Sequence, residues 1–185
     1  MTSRTPGLRW LLPIGLVAVP AYHAAYAAQY MTIAQAQRGA FAHAEAFTSI
    51  ALGPAVLAAA RAAAPENLPA GWAPKMWQAR TGDQALGWLV VDQVIGKSDA
   101  ITYAVALDAD GVVTGIDVLE YRETHGSEIR LPAWRKQFVG KTAHDPIRLD
   151  ADIRNISGAT LSCRHVTDGV RRLVALTAHL LSAQD

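Results

Sequence analysis

The stretch Ala100-Ile101-Thr102-Tyr103-Ala104-Val105-Ala106-Leu107, then Asp108-Ala109-Asp110-Gly111, then Val112-Val113-Thr114-Gly115-Ile116-Asp117-Val118-Leu119-Glu120, decides the fold class. Ile101, Tyr103, Val105 and Leu107 recur at every second position, with Thr102, Ala104 and Ala106 between them, which is the period of a pleated strand. The Asp-Ala-Asp-Gly segment is turn chemistry, and Val112, Thr114, Ile116 and Val118 are expected to share one face of a returning strand. Residues 100–120 therefore predict an antiparallel hairpin. Just before it, Trp88-Leu89-Val90-Val91-Asp92-Gln93-Val94-Ile95 stops at Gly96 and predicts a third strand beginning near Leu86.

Helices flank this sheet. Val166, Val170, Leu173, Val174, Thr177 and Leu181 fall at helical spacing within Leu161–Leu181, which places Arg164, Arg171, Arg172 and His179 on the outer surface. Trp134 and Phe138 lie four apart, as on one side of a helical turn. Upstream, residues 33–47 suit a helix, and Pro54 followed by an alanine-rich run to Ala64 suits a second one that stops before Pro65. Pro65 to Gly82, with Pro69, Gly71 and Pro74 around Trp72 and Trp77, reads as a loop that anchors aromatic rings on the domain. The expected class is α+β: a twisted antiparallel sheet packed by helices, in one domain. Its organisation is a leader at 1–28, a helical part with a loop at 29–85, and the sheet-bearing part at 86–185.

Size and charge narrow the function. The 185 residues, 51% of them hydrophobic, suffice for one core. Lys+Arg 17 against Asp+Glu 16 leaves no basic footprint for nucleic acid. Cys163 is the single cysteine, so the chain alone builds neither a disulfide nor a paired-cysteine metal site. Arg4 and Arg9 precede an apolar run from Trp10 to Ala21, and Ala25-Tyr26-Ala27 follows with small residues at signal-peptidase spacing. This predicts export to the periplasm, by a cleaved signal or with an uncleaved anchor in the inner membrane.

The segment richest in chemistry is Ile156-Ser157-Gly158-Ala159-Thr160-Leu161-Ser162, where an extended stretch enters the last helix. Small residues at 158 and 159 let a bulky group reach the backbone. Free N–H groups at a helix start, with the macrodipole, favour a phosphate. Ser157, Thr160 and Ser162 add hydroxyls, and Arg164 and His165 stand a turn further on. The same string is also consistent with an ordinary helix cap on an exported binding module. A serine-hydrolase reading lacks the Gly-x-Ser-x-Gly elbow.

Ser157-Gly158-Ala159-Thr160, with Leu161-Ser162, resembles the flavinylation motif of the FMN-binding domain family, known from flavin subunits of the sodium-pumping NADH:quinone oxidoreductase and the Rnf complexes. Glu123-Thr124-His125-Gly126 resembles that family's Glu-Thr-Pro-Gly loop, with Trp134, Phe138 and Gly140-Lys141 following at similar spacing. The resemblance covers roughly residues 86–181 and is nearest to small stand-alone periplasmic members. It implies an FMN-carrying electron-transfer protein, with FMN joined to Thr160 by a phosphoester that an FMN transferase installs. It implies a membrane-bound electron donor and an extracytoplasmic acceptor as partners. Ser157, Gly158, Ala159, Leu161, Ser162, Glu123, Thr124 and His125 are the implied cofactor contacts, and His165 is a further candidate contact from its place at the helix start. The chain departs from the family at Arg154, where an Asp is usual, and at His125, so reversible FMN stays open beside the covalent form. Glu123, His125 and Glu128 fit no standard metal-ligand spacing. A lone Cys163 at a helix start reads as packing, not redox chemistry.

Overall fold

In the computed structural model, which describes residues 28–66, 68 and 71–183, the chain runs β1 (Ala28–Gln29), α1 (Ile33–Ala40), β2 (Ala46–Ile50), α2 (Pro54–Ala63), β3 (Lys75–Thr81), β4 (Gln84–Ile95), β5 (Ala100–Asp108) and β6 (Val113–Tyr121). Short 3-10 turns at Ser127–Arg130 and Lys136–Phe138 flank α3 (Pro132–Arg135), and α4 (Thr160–Ser182) ends the fold. Apart from Ala28, the expected leader lies outside the described residues. No described helix is long and apolar enough to cross a membrane.

One antiparallel sheet of six strands, in the order β1-β6-β5-β4-β3-β2, carries the molecule. The predicted class is therefore the observed one. The alternation in β4 and β5 sorts side chains onto two faces. Trp88, Val90, Val94, Ile101, Tyr103, Val105 and Leu107 pack under α4, and Leu89, Val91, Ala104 and Ala106 pack under α1. On α4, Val166, Val170, Leu173 and Val174 are buried in the first cluster, as their spacing requires.

The phase predicted for the returning strand holds at Ile116 and Val118, which are buried together in the first cluster, and fails beyond them because β6 carries two bulges. Ala106 pairs with Gly115 but Leu107 pairs with Val113, so Thr114 is extra and Val113 takes the core position. Tyr103 pairs with Val118 but Thr102 pairs with Glu120, so Leu119 is extra. Each added residue flips the faces beyond it. The second bulge turns Tyr121 toward α4, with consequences for the site.

Two further expectations are corrected. The helix expected over 33–47 stops at Ala40, and Ala46–Ile50 is the edge strand β2. A capping box between Thr32 and Gln35 starts α1. Alanine favours helix locally, but Phe47 and Ile50 gain more by joining the sheet, where Phe47 packs edge-on against Phe41 at 6.3 Å. The expected loop over 65–82 contains β3, which reaches β4 through a two-residue Gly82-Asp83 turn. Its tryptophans diverge: Trp72 is buried under α4, and Trp77 packs on the α1 side.

Arg172, expected at the surface, is fully buried. Its guanidinium crosses to the end of α2 and donates to Ala64 O at 3.1 Å and Glu66 O at 3.2 Å, satisfying carbonyls that the end of a helix leaves open. Nearby, the Asp92 carboxylate accepts from Trp72 Nε1 at 2.7 Å and Tyr103 Oη at 2.8 Å. Burial pushes the Asp92 carboxyl up, against the opposing pull of these donors and of Arg172. The outer edge of β6 is closed rather than free. Val113 N donates to Lys141 O, Gly140 N donates to Val113 O, and Arg135 binds Ile116 O and Asp117.

Candidate functional site

The bulge at Leu119 places the Tyr121 ring beneath the first turn of α4. Its hydroxyl donates to His125 O and, with that proton committed, accepts from Ser162 Oγ at 2.9 Å. Burial raises the Tyr121 pKa, which keeps this proton in place. The loop then reverses at Gly126, where φ is +89°. A Cβ here would lie 2.8 Å from both Ser162 Oγ and Tyr121 Oη, so two reasons demand glycine. Upstream in the loop, the Glu123 carboxylate accepts Ser98 N at 2.6 Å and Asp99 N at 2.9 Å. It fixes the turn between β4 and β5 at the height of α4's first residues.

α4 starts without a cap. Its N-cap residue is Ala159, and no side chain accepts from its first turn. The N–H groups of Thr160, Leu161 and Ser162 precede the first intrahelical bond, Cys163 N to Ala159 O at 2.9 Å. The helix-cap interpretation of Ser157–Thr160 thus has no geometric basis: Ser157 is exposed, and Thr160 lies inside the helix. Thr160 is half-buried, and its Oγ1 accepts from Asn155 Nδ2 at 3.0 Å, which leaves its own proton free for a second partner. Cys163 is fully buried, and burial raises its thiol pKa, as a packed neutral cysteine should behave.

A cavity of about 520 Å³ opens over this helix start, within the range of small-molecule sites. Gly158, Ala159, Thr160, Leu161 and Ser162 form one wall and Glu123, Thr124 and His125 a second. The third wall is Lys97, Ser98 and Asp99, none of them expected from the sequence as a contact. Its one signal is the polar turn after Gly96, brought to the site by Glu123. Two expected contacts fall outside this lining, Ser157 and His165. His165 Nδ1 lies 2.6 Å from Ile95 O and 3.0 Å from Gly96 O. With only carbonyls beside it, Nδ1 carries the proton and donates.

Residues 96–175 match the model of the FMN-binding domain. This segment belongs to the FMN-binding domain family. The cofactor of that domain is FMN. The chain is 37% identical over 100 residues to a subunit of the ion-translocating oxidoreductase complex of Escherichia coli K12, covering 48% of each chain. To a subunit of the Na(+)-translocating ferredoxin:NAD(+) oxidoreductase complex of Acetobacterium woodii it is 28% identical over 94 residues, 46% of this chain and 45% of that one. An ion-translocating oxidoreductase complex subunit from Aliivibrio fischeri is 33% identical over 90 residues, 43% of each. The chain spans about half the length of these relatives.

The residues present fit an FMN. Uncapped amides at the start of α4 are donors suited to a phosphate. Gly158, at φ +86°, has no atom within 4 Å of a would-be Cβ, so the approach to Thr160 is open. Leu161 is 43% exposed on the cavity wall and offers an apolar surface to a ring. Lys97, a cation, is also part of the lining. Asp152, two residues before Arg154, is engaged away from this cavity. Its carboxylate accepts Arg148 N at 2.8 Å and Ile147 N at 3.2 Å and pairs with Lys141 at 2.8 Å. It thereby braces a tight segment in which Ile147 and Asp150 have positive φ.

Proposed function

We propose that this chain is an extracytoplasmic electron-transfer protein whose FMN is joined through its phosphate to Thr160. The observation that carries the reading is the uncapped start of α4, with Thr160 lining a cavity large enough for a ligand. When bound, the flavin supplies the one- and two-electron chemistry that this single-cysteine chain lacks. The α4 amides would hold the phosphate, Thr160 Oγ1 would carry the ester, made as the bond between the two phosphates of FAD breaks and AMP leaves with the hydroxyl proton, and the Glu123-braced turn would close one side of the cavity. Leu161 shields the ring from water, and the open side leaves an edge for electron exchange. Attachment requires an FMN transferase. The donor is membrane-bound, in keeping with relatives named as subunits of ion-translocating complexes, and the acceptor lies outside the cytoplasm.

Coexpression with an FMN transferase, followed by denaturing electrophoresis, tests the link. The wild-type band is expected to fluoresce and the Thr160→Val band to stay dark. Fluorescence that survives the substitution places the ester elsewhere. A dark wild type that still retains FMN before denaturation makes the binding reversible.

A further inference from the structure

A second groove, of about 640 Å³, lies beside the flavin cavity, and Leu161 lines both. Its rim carries Arg148, Arg164 and Arg171, with Glu66, His165 and Asp168 between them. Arg171 Nη2 lies 3.2 Å from Asp168 and 4.0 Å from Glu66, so it holds both acids of the groove. Arg148 and Arg164 are exposed and form no ion pair among the described residues. The groove therefore offers two uncompensated cations suited to acceptor oxygens.

We propose that this groove docks an acidic segment of a partner protein, seating its carboxylates on Arg148 and Arg164. The inference rests on the flavin reading for its purpose, since docking here brings the partner within one leucine of the flavin cavity. The binding itself needs no flavin. Two features favour a protein segment over a membrane surface: the cations line a concavity instead of a plane, and acids alternate with them, which selects a patterned partner. Unpaired charges on the rim also steer encounter and keep the contact short-lived, as a relay needs.

The test is NMR titration of the flavin-free chain at low salt with a hexa-aspartate peptide, with inorganic phosphate and phosphatidylglycerol vesicles as separate arms. The expected result is amide shifts confined to Arg148 and the Arg164–Arg171 stretch of α4. Peptide affinity should fall by about tenfold in Arg148→Gln/Arg164→Gln and be largely restored in Arg148→Lys/Arg164→Lys. Unchanged melting temperatures establish that the variants fold. The proposal is overturned by absent or scattered shifts, by unchanged affinity in the Gln variant, or by phosphate or vesicles matching the peptide at equal charge. Flavin content, read by absorbance on coexpressed protein, is a separate outcome: a chain that takes no FMN yet binds the peptide loses the relay reading and keeps the groove.

Discussion

Replacing Gly126 by Ala tests whether the Glu123–Gly126 loop and α4 are built against each other. At φ +89° an alanine incurs the left-handed penalty of about 1–2 kcal/mol. Its Cβ would also stand 2.8 Å from both Ser162 Oγ and Tyr121 Oη and 3.5 Å from Ala159 Cα. The two hydroxyls must part, which costs their 2.9 Å hydrogen bond, about 1 kcal/mol. The sum, roughly 2–3 kcal/mol, corresponds to a melting temperature lower by about 5–10 °C for a chain of this size. Calorimetry of flavin-free Gly126→Ala, Tyr121→Phe and the double variant reads both contributions. Removing the Tyr121 hydroxyl relieves half the clash, so the double variant should be more stable than additivity predicts by about 1 kcal/mol. A Gly126→Ala chain within about 0.5 kcal/mol of wild type, or strict additivity, would refute this packing of loop on helix.

Other outcomes follow from the same geometry. Gly169→Ala places a Cβ 2.0 Å from Tyr103 Oη. It should break the Tyr103–Asp92 bond and destabilise the core by about 2–3 kcal/mol, read as a fall in the urea midpoint. Burial alone would raise the Asp152 pKa, but the Arg148 N–H and Lys141 hold it below the usual carboxylate range. The stability it contributes is therefore complete above the unfolded value of about 3.9 and is lost as pH falls through the lower folded value. Asp152→Asn should flatten the acid limb of a stability-versus-pH curve, and an unchanged limb counts against the brace. Asp92 has the opposite sign: with its folded pKa raised, stability declines as pH climbs from the unfolded value through the folded one. Asp92→Asn should remove that decline in urea titrations between acid and neutral pH.

The sheet and its last helix were legible because their side chains obey periods of two and 3.6. Ile101 to Leu107 and Val166 to Val174 are buried on the faces their spacing assigned. β2 was not legible, since its alanine and threonine become a strand only beside β3, and β3 itself lay hidden among prolines. Nor could alternation reveal the bulges at Thr114 and Leu119, which are set by pairing with β5. Arg172 defeated the helical stripe because its partners, Ala64 O and Glu66 O, are backbone atoms from a distant element. At the site, Gly158 to Ser162 and Glu123 to His125 were visible as two motifs. That they share a cavity with Lys97, Ser98 and Asp99 depends on the Glu123 hydrogen bonds, which no local pattern encodes.

Intact mass and peptide mapping of the protein coexpressed with an FMN transferase test the account most directly. The expected result is a gain of one FMN less one water, mapped to the peptide containing Thr160 and absent from Thr160→Val. An unmodified mass in protein that has demonstrably met the transferase, or an adduct on any other residue, contradicts it.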